Sequence, residues 1–224
     1  MLLEAQRHQV VDAARELLAL GLVIGTAGNV SMRLEDVVLI TPSGIDYRSL
    51  TAAQVCVVDV DGHVREAALP PSTELPLRLA AYRAERPAAD QVAAVVHTHS
   101  SYATAAGLVV DTLPAVHYLI AMLGGPVPVV PYATPGSDAL AEAIAAALPD
   151  RSALLLRNHG VVTVGPTLRV ALEKASLVEW LAEVYAKARG MGTPAVVDDE
   201  ELARVAHLLA HYGSYSSTPP GIEG

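Results

Sequence analysis

One short stretch limits the folds open to this chain more than any other: Val92-Ala93-Ala94-Val95-Val96-His97-Thr98-His99. An apolar run this short, rich in β-branched residues, reads as a buried strand. Alternate side chains of a strand share a face, so His97 and His99 stand together near its end. Burying two neutral imidazoles side by side is costly unless each has a partner. One divalent metal could serve both; two separately satisfied core histidines are the competing reading. A third histidine has a similar setting in Ala153-Leu154-Leu155-Leu156-Arg157-Asn158-His159-Gly160, although Asn158-His159-Gly160 reads equally well as a turn.

The 224 residues are enough for one large α/β domain, and with 52% hydrophobic residues a core is well supplied. Phe is absent and aromatics make up 4%, so that core is built from Ala, Val, Leu and Ile. A net charge of −9 argues against a nonspecific nucleic-acid binder. The single cysteine, Cys56, excludes a disulfide framework and a cysteine-based zinc finger. Glu4, Arg7, Asp12, Arg15 and Glu16 interrupt the N-terminal apolar stretches, which excludes a signal peptide there. No run approaches the ~20 apolar residues of a membrane span. The expectation is a soluble, cytoplasmic protein with neither membrane nor nucleic acid as partner.

Hydrophobic periodicity predicts helices over 3–20, 73–86, 101–107, 137–148, 167–190 and 198–211. Ser137 and Thr167 are the expected N-caps. Strands are predicted over 36–41, 54–60, 92–98, 152–157 and 161–164, with a hairpin turn at Asp61-Gly62. No linker divides the chain. The fold class expected is α/β, a single domain with a central mixed or largely antiparallel sheet and helices on both faces. Residues 214–224, rich in Gly, Pro and Ser, are expected to form a mobile tail.

Three loops are poor in charge and rich in glycine and hydroxyls. Gly25-Thr26-Ala27-Gly28-Asn29-Val30-Ser31 could present amides to a phosphate, or simply connect a helix to a strand. Thr41-Pro42-Ser43-Gly44 ends a strand. Pro70-Pro71-Ser72-Thr73-Glu74 opens a helix, where Ser72 or Thr73 reads as a cap and where an anion is also welcome. Glu74 is either a dipole-stabilising carboxylate or a group beside the metal; spacing alone does not choose.

Taken in order, GTAGNVS (25–31), ITPSGI (40–45), PSTE (71–74), VVHTH (95–99), PAVHYLIA (114–121), PYATPG (131–136) and NHG (158–160) closely resemble the class II aldolase/adducin family. The resemblance is greatest to its bacterial ketose-1-phosphate aldolases, such as those acting on L-fuculose 1-phosphate, and implies one domain over 1–213. It implies a divalent metal, zinc before manganese or cobalt, held by His97, His99 and His159. Glu74 is implied as a further ligand and as the acid/base. The substrate phosphate is implied at Thr26, Gly28, Asn29, Ser43, Gly44, Ser72 and Thr73, with no Lys or Arg in these loops. Tyr118, from a neighbouring subunit, and Tyr212 are implied as active-site tyrosines, within a homotetramer whose sites lie at subunit interfaces. The reaction implied is cleavage of a ketose 1-phosphate to dihydroxyacetone phosphate and an aldehyde through a metal-stabilised enediolate.

Two places depart from the pattern. Pro135 stands where fuculose-phosphate members carry an aromatic residue, and the tail after Tyr212 differs. Both touch the aldehyde end. The same family includes a sugar-phosphate 4-epimerase, a methylthioribulose-1-phosphate dehydratase and phosphotetronate decarboxylases, and a non-enzymatic, adducin-like scaffold is the alternative of another class. Glu74, where epimerases carry Asp, favours the aldolase.

Overall fold

A computed structural model describes residues 2–84, 86 and 91–211, the side chains of 210 and 211 excepted. Tyr212 and the expected tail lie outside the described residues.

Among the described residues, nine strands form one sheet: β1 (Asn29–Leu34), β2 (Val37–Ile40), β3 (Cys56–Asp59), β4 (Val64–Glu66), β5 (Ala94–Thr98), β6 (Thr112–Leu113), β7 (Val127–Val130), β8 (Ala153–Leu156) and β9 (Gly160–Gly165). Their order is β4-β3-β2-β1-β5-β9-β8-β7-β6. Among the described strands only the β7–β8 pairing is parallel, so the sheet is mixed and largely antiparallel, as expected. The histidine-bearing strand β5 lies at its centre and is buried throughout. A central strand with helices above and below has no polar face, which is why its sequence lacks polar alternation.

Among the described residues, six α-helices accompany the sheet: α1 (Glu4–Ala19), α2 (Leu75–Arg83), α3 (Ser101–Val109), α4 (Asp138–Ala147), α5 (Leu168–Met191) and α6 (Asp199–His211). Strand periodicity sorts them into two layers. Leu39, Val57 and Val96 pack with Val10, Ala14 and Leu17 of α1 and Ala171 and Ala175 of α5. Their sequence neighbours Val38, Val58 and Val95 point the other way, against Leu77 and Ala81 of α2 and Leu140 and Ile144 of α4. Each fully buried aliphatic side chain contributes ~1.5–3 kcal/mol of transfer free energy, and two such layers make the core.

The expected caps form: Ser137 accepts from Leu140 N, and Thr167 from Val170 N. Two expectations change. Residues 29–34, half of them read as loop, are strand β1, whose polar residues Asn29 and Ser31 are buried. The helix expected from residue 73 begins at Leu75, with Glu74 as its N-cap and neither Ser72 nor Thr73 capping it. Pro76 falls in the first turn, where its missing N–H costs nothing. No helix among the described residues is long and apolar enough to cross a membrane.

Candidate metal centre and phosphate cleft

His97 lies in β5 with the parity of Val95, and so faces α2. Its Nδ1 lies 2.7 Å from the carbonyl oxygen of Val161 in the neighbouring strand β9. A carbonyl only accepts, so Nδ1 carries the proton and Nε2 presents a lone pair. His99 follows the strand end, and its Nε2 is 2.9 Å from His97 Nε2.

His159 arrives by a different route. The tight turn Asn158-His159-Gly160 joins β8 to β9, with Asn158 in the left-handed region at φ 56°. A Cβ on Gly160 would lie 2.1 Å from Thr98 O and 3.1 Å from His99 Cδ2. Only glycine lets β9 start against the end of β5, and that approach brings the His159 ring to 4.7 Å from His97 and 5.0 Å from His99, centroid to centroid.

Glu74, at the entrance to α2, completes the cluster. Its Oε2 lies 3.2 Å from His97 Nε2 and its Oε1 3.0 Å from His159 Nε2. Asn29, at the start of β1, donates from Nδ2 to Oε2 at 2.6 Å. Oε1 is buried and has no hydrogen-bond partner among the described residues. Burial opposes ionisation of Glu74, but His97, His159 and the buried Arg78 outweigh it and hold the carboxyl well below the usual range. Burial pushes His97 down to about 3, against the pull of Glu74, and lowers His99 with help from His159.

The imidazole nitrogens of three histidines and a carboxylate thus converge at contact distance. A shared cation could take a lone pair from each, and the three histidines offer nitrogen ligands within 4.8 Å of one another. His₃-carboxylate is a donor set that suits zinc and accepts other divalent ions. Asp59, Asp61 and His63 also lie close together. There Asp59 already accepts the amides of Asp61 and His63 and pairs with Arg65, so the group stabilises the β3–β4 turn.

The cluster floors a cleft of about 270 Å³ lined by Thr26, Gly28, Asn29, Ser43, Gly44, Ser72, Thr73, Glu74, His99, His159 and Pro135, among others. The three loops therefore meet at one cleft. Gly28, at φ +85°, is required: a Cβ there would lie 2.7 Å from Val23 Cγ1 and 2.9 Å from His97 O. Tyr47 holds this loop by donating to Gly28 O at 2.7 Å. The other two loops pair with each other, Ser43 N donating to Pro70 O and Ser72 N to Thr41 O. Those two amides are thus engaged, leaving the hydroxyls of Ser43 and Ser72 as the donors at these positions. Among the described residues, no Lys or Arg lines the cleft. A larger groove of about 610 Å³ between α2 and α4 contains none of the histidines.

Tyr118 does not line the cleft of its own chain. It is 47% exposed and stacked on His117, whose ring also meets Trp180. Two residues at the site escape a reading of the loops. Tyr47 sits after the second loop, and Arg78 is a charged residue in an apolar helix, flanked by Leu77 and Leu79. An arginine between leucines on a helix that must pack was the available signal for the latter.

Comparison with known proteins agrees with this architecture. Residues 8–186 match the Class II Aldolase and Adducin N-terminal domain family. The L-fuculose phosphate aldolase of Escherichia coli is 42% identical over 208 residues, spanning 92% of this chain and 94% of that protein. A 5-methylthioribulose-1-phosphate/5-deoxyribulose-1-phosphate aldolase of Rhodospirillum rubrum is 38% identical over 216 residues, 96% of each chain. A solved structure of an L-fuculose 1-phosphate aldolase superposes with a TM-score of 0.86 at 34% identity, covering 91% of this chain and 95% of the other. The chain belongs to the class II aldolase and adducin family.

Proposed function

We propose that this chain is a divalent-metal-dependent aldolase that reversibly cleaves a ketose 1-phosphate to dihydroxyacetone phosphate and an aldehyde. The observation that carries the reading is the convergence of His97, His99, His159 and Glu74 at the floor of a cleft walled by three hydroxyl- and glycine-rich loops. His97, His99, His159 and, before substrate arrives, Glu74 would hold the cation, zinc before manganese or cobalt. When bound, it supplies charge that stabilises the electron pair left beside the ketone as the carbon–carbon bond breaks.

The remaining steps fall to the protein. Thr26, Gly28, Asn29, Ser43, Gly44, Ser72 and Thr73 bind the phosphate through neutral donors. Val161 O fixes the His97 tautomer. Glu74, steadied by Asn29, shuttles the proton at the carbon next to the ketone. Tyr118, exposed on its own chain, serves the aldehyde end of a neighbouring subunit's site within a tetramer, and Tyr212 serves the same end.

The relatives differ in the aldehyde half and share the ketose 1-phosphate half. L-Fuculose 1-phosphate is the first candidate; 5-deoxyribulose 1-phosphate and methylthioribulose 1-phosphate follow from the names of equally well-covered relatives. Metal analysis of the purified protein tests the core of the proposal, with one divalent ion per chain expected and loss of it in a His97→Ala/His99→Ala double variant. The substrate is tested with a panel of ketose 1-phosphates, ketopentose 5-phosphates and phosphotetronates. Release of dihydroxyacetone phosphate supports the aldolase; epimerisation without cleavage, release of carbon dioxide, or full activity without metal overturns it.

A further inference from the structure

Arg78 of α2 has no solvent exposure. Its Nη2 donates to Asn29 O at 2.7 Å, while Nε and Nη1 have no hydrogen-bond partner among the described residues. A buried guanidinium carries a desolvation cost of several kcal/mol and requires an anion nearby. That anion is Glu74, one helical turn earlier. Asn29 links the two, because its carbonyl takes Arg78 and its amide nitrogen grips Glu74 Oε2. Arg78 acts electrostatically on Glu74 and His97 as well as on Tyr47 and Tyr82.

This placement has two consequences for a cation held by the histidines. Arg78 is a like charge behind the site, which lowers the affinity for any metal there. It also competes with the metal for the carboxylate of Glu74. A ligand that has to leave the metal in order to move a proton cannot be held at full strength. We propose that Arg78 is a positioning residue that draws Glu74 toward itself through Asn29 and so keeps the carboxylate–metal bond weak enough to release. The inference rests on the reading of Glu74 as both ligand and proton carrier.

Two variants separate charge from hydrogen bonding. Arg78→Gln keeps a donor for Asn29 O and removes the charge; Arg78→Lys keeps the charge and loses the guanidinium geometry. The full chain is stripped with a chelator, and Co²⁺ alone is titrated against a chromophoric competitor. Arg78→Gln is expected to bind Co²⁺ about tenfold more tightly than wild type, and Arg78→Lys about as wild type does. With a cleaved ketose 1-phosphate, Arg78→Gln is expected to lower kcat and leave KM nearly unchanged. A purely structural arginine would instead lose Co²⁺ affinity in both variants, in step with the melting temperature. That result, or unchanged affinity in Arg78→Gln, overturns the proposal. Should Arg78→Gln fail to fold, Glu74→Gln gives a second reading: a loss of Co²⁺ affinity below about tenfold agrees with a weakened ligand, and a loss of about 100-fold or more overturns it. The Co²⁺ measurements need no turnover. A wild-type protein that binds Co²⁺ but cleaves no ketose 1-phosphate defeats the aldolase reading without deciding the charge effect.

Discussion

Gly160→Ala is the sharpest test of how this fold builds its site. The added Cβ would lie 2.1 Å from Thr98 O and 3.2 Å from Thr98 C, both backbone atoms of the β5 end. Carbon–oxygen contacts settle at about 3.3 Å, so β9 must move from β5 by about 1 Å. No rotamer change relieves a clash between backbones, and overpacking of this kind costs up to ~3 kcal/mol. In a domain of this size that lowers the melting temperature by about 6–12 °C. The same movement carries His159 away from His97 and His99 and pulls Val161 O from His97 Nδ1. Divalent-metal affinity should fall by about 10–100-fold, the range seen when ligand-orienting contacts are lost. Val164→Ala is the control: that side chain is buried in the same strand, but it lies opposite Val95 and packs in the core under α2 and α4. It should cost about 1–3 kcal/mol as a cavity and leave metal affinity unchanged. Calorimetry and Co²⁺ titration of both variants give the answer. Wild-type affinity in Gly160→Ala, or equal losses in the two variants, would refute the argument that this contact sets the ligand geometry.

Two further outcomes follow from the electrostatics. In metal-free protein at about pH 5, an unfolded histidine of ordinary pKa near 6.5 takes up a proton that buried His97 refuses, so acid favours unfolding. His97 stability is complete above about pH 6.5 and declines by about 2 kcal/mol by about pH 5. Glu74, held low, loses its contribution as pH falls through the carboxylate range, in the same direction. Urea midpoints at about pH 7.5 and about pH 5 should differ accordingly, and equal midpoints would contradict the burial argument. Glu74→Gln should fold and keep the histidine nitrogens in place, yet lower kcat for ketose 1-phosphate cleavage by at least about 100-fold. Wild-type turnover in that variant would remove Glu74 as the proton carrier.

How much of this was legible in the sequence depended on how locally each feature is encoded. The i, i+2 spacing of His97 and His99 is a property of any strand, and their Nε2 atoms do meet at 2.9 Å. The approach of His159 is encoded in a tripeptide, a residue tolerant of positive φ and a glycine bracketing the histidine. β1 was hidden because its alternation is inverted in meaning. Asn29 and Ser31 look like solvent-facing residues, but they are buried and hydrogen-bonded to Glu74 and to Tyr82, partners far away in sequence. Arg78 was hidden for a related reason: helix periodicity treats a charge as a surface marker, whereas this one is matched by Glu74 one turn earlier and by the Asn29 carbonyl, which only the assembled sheet brings near. Periodicity assigns faces by transfer free energy, and it fails where a buried polar group is compensated by a distant one. Those failures fall here around Glu74, where Asn29, Arg78 and the histidines place polar and charged groups inside layers that are otherwise aliphatic.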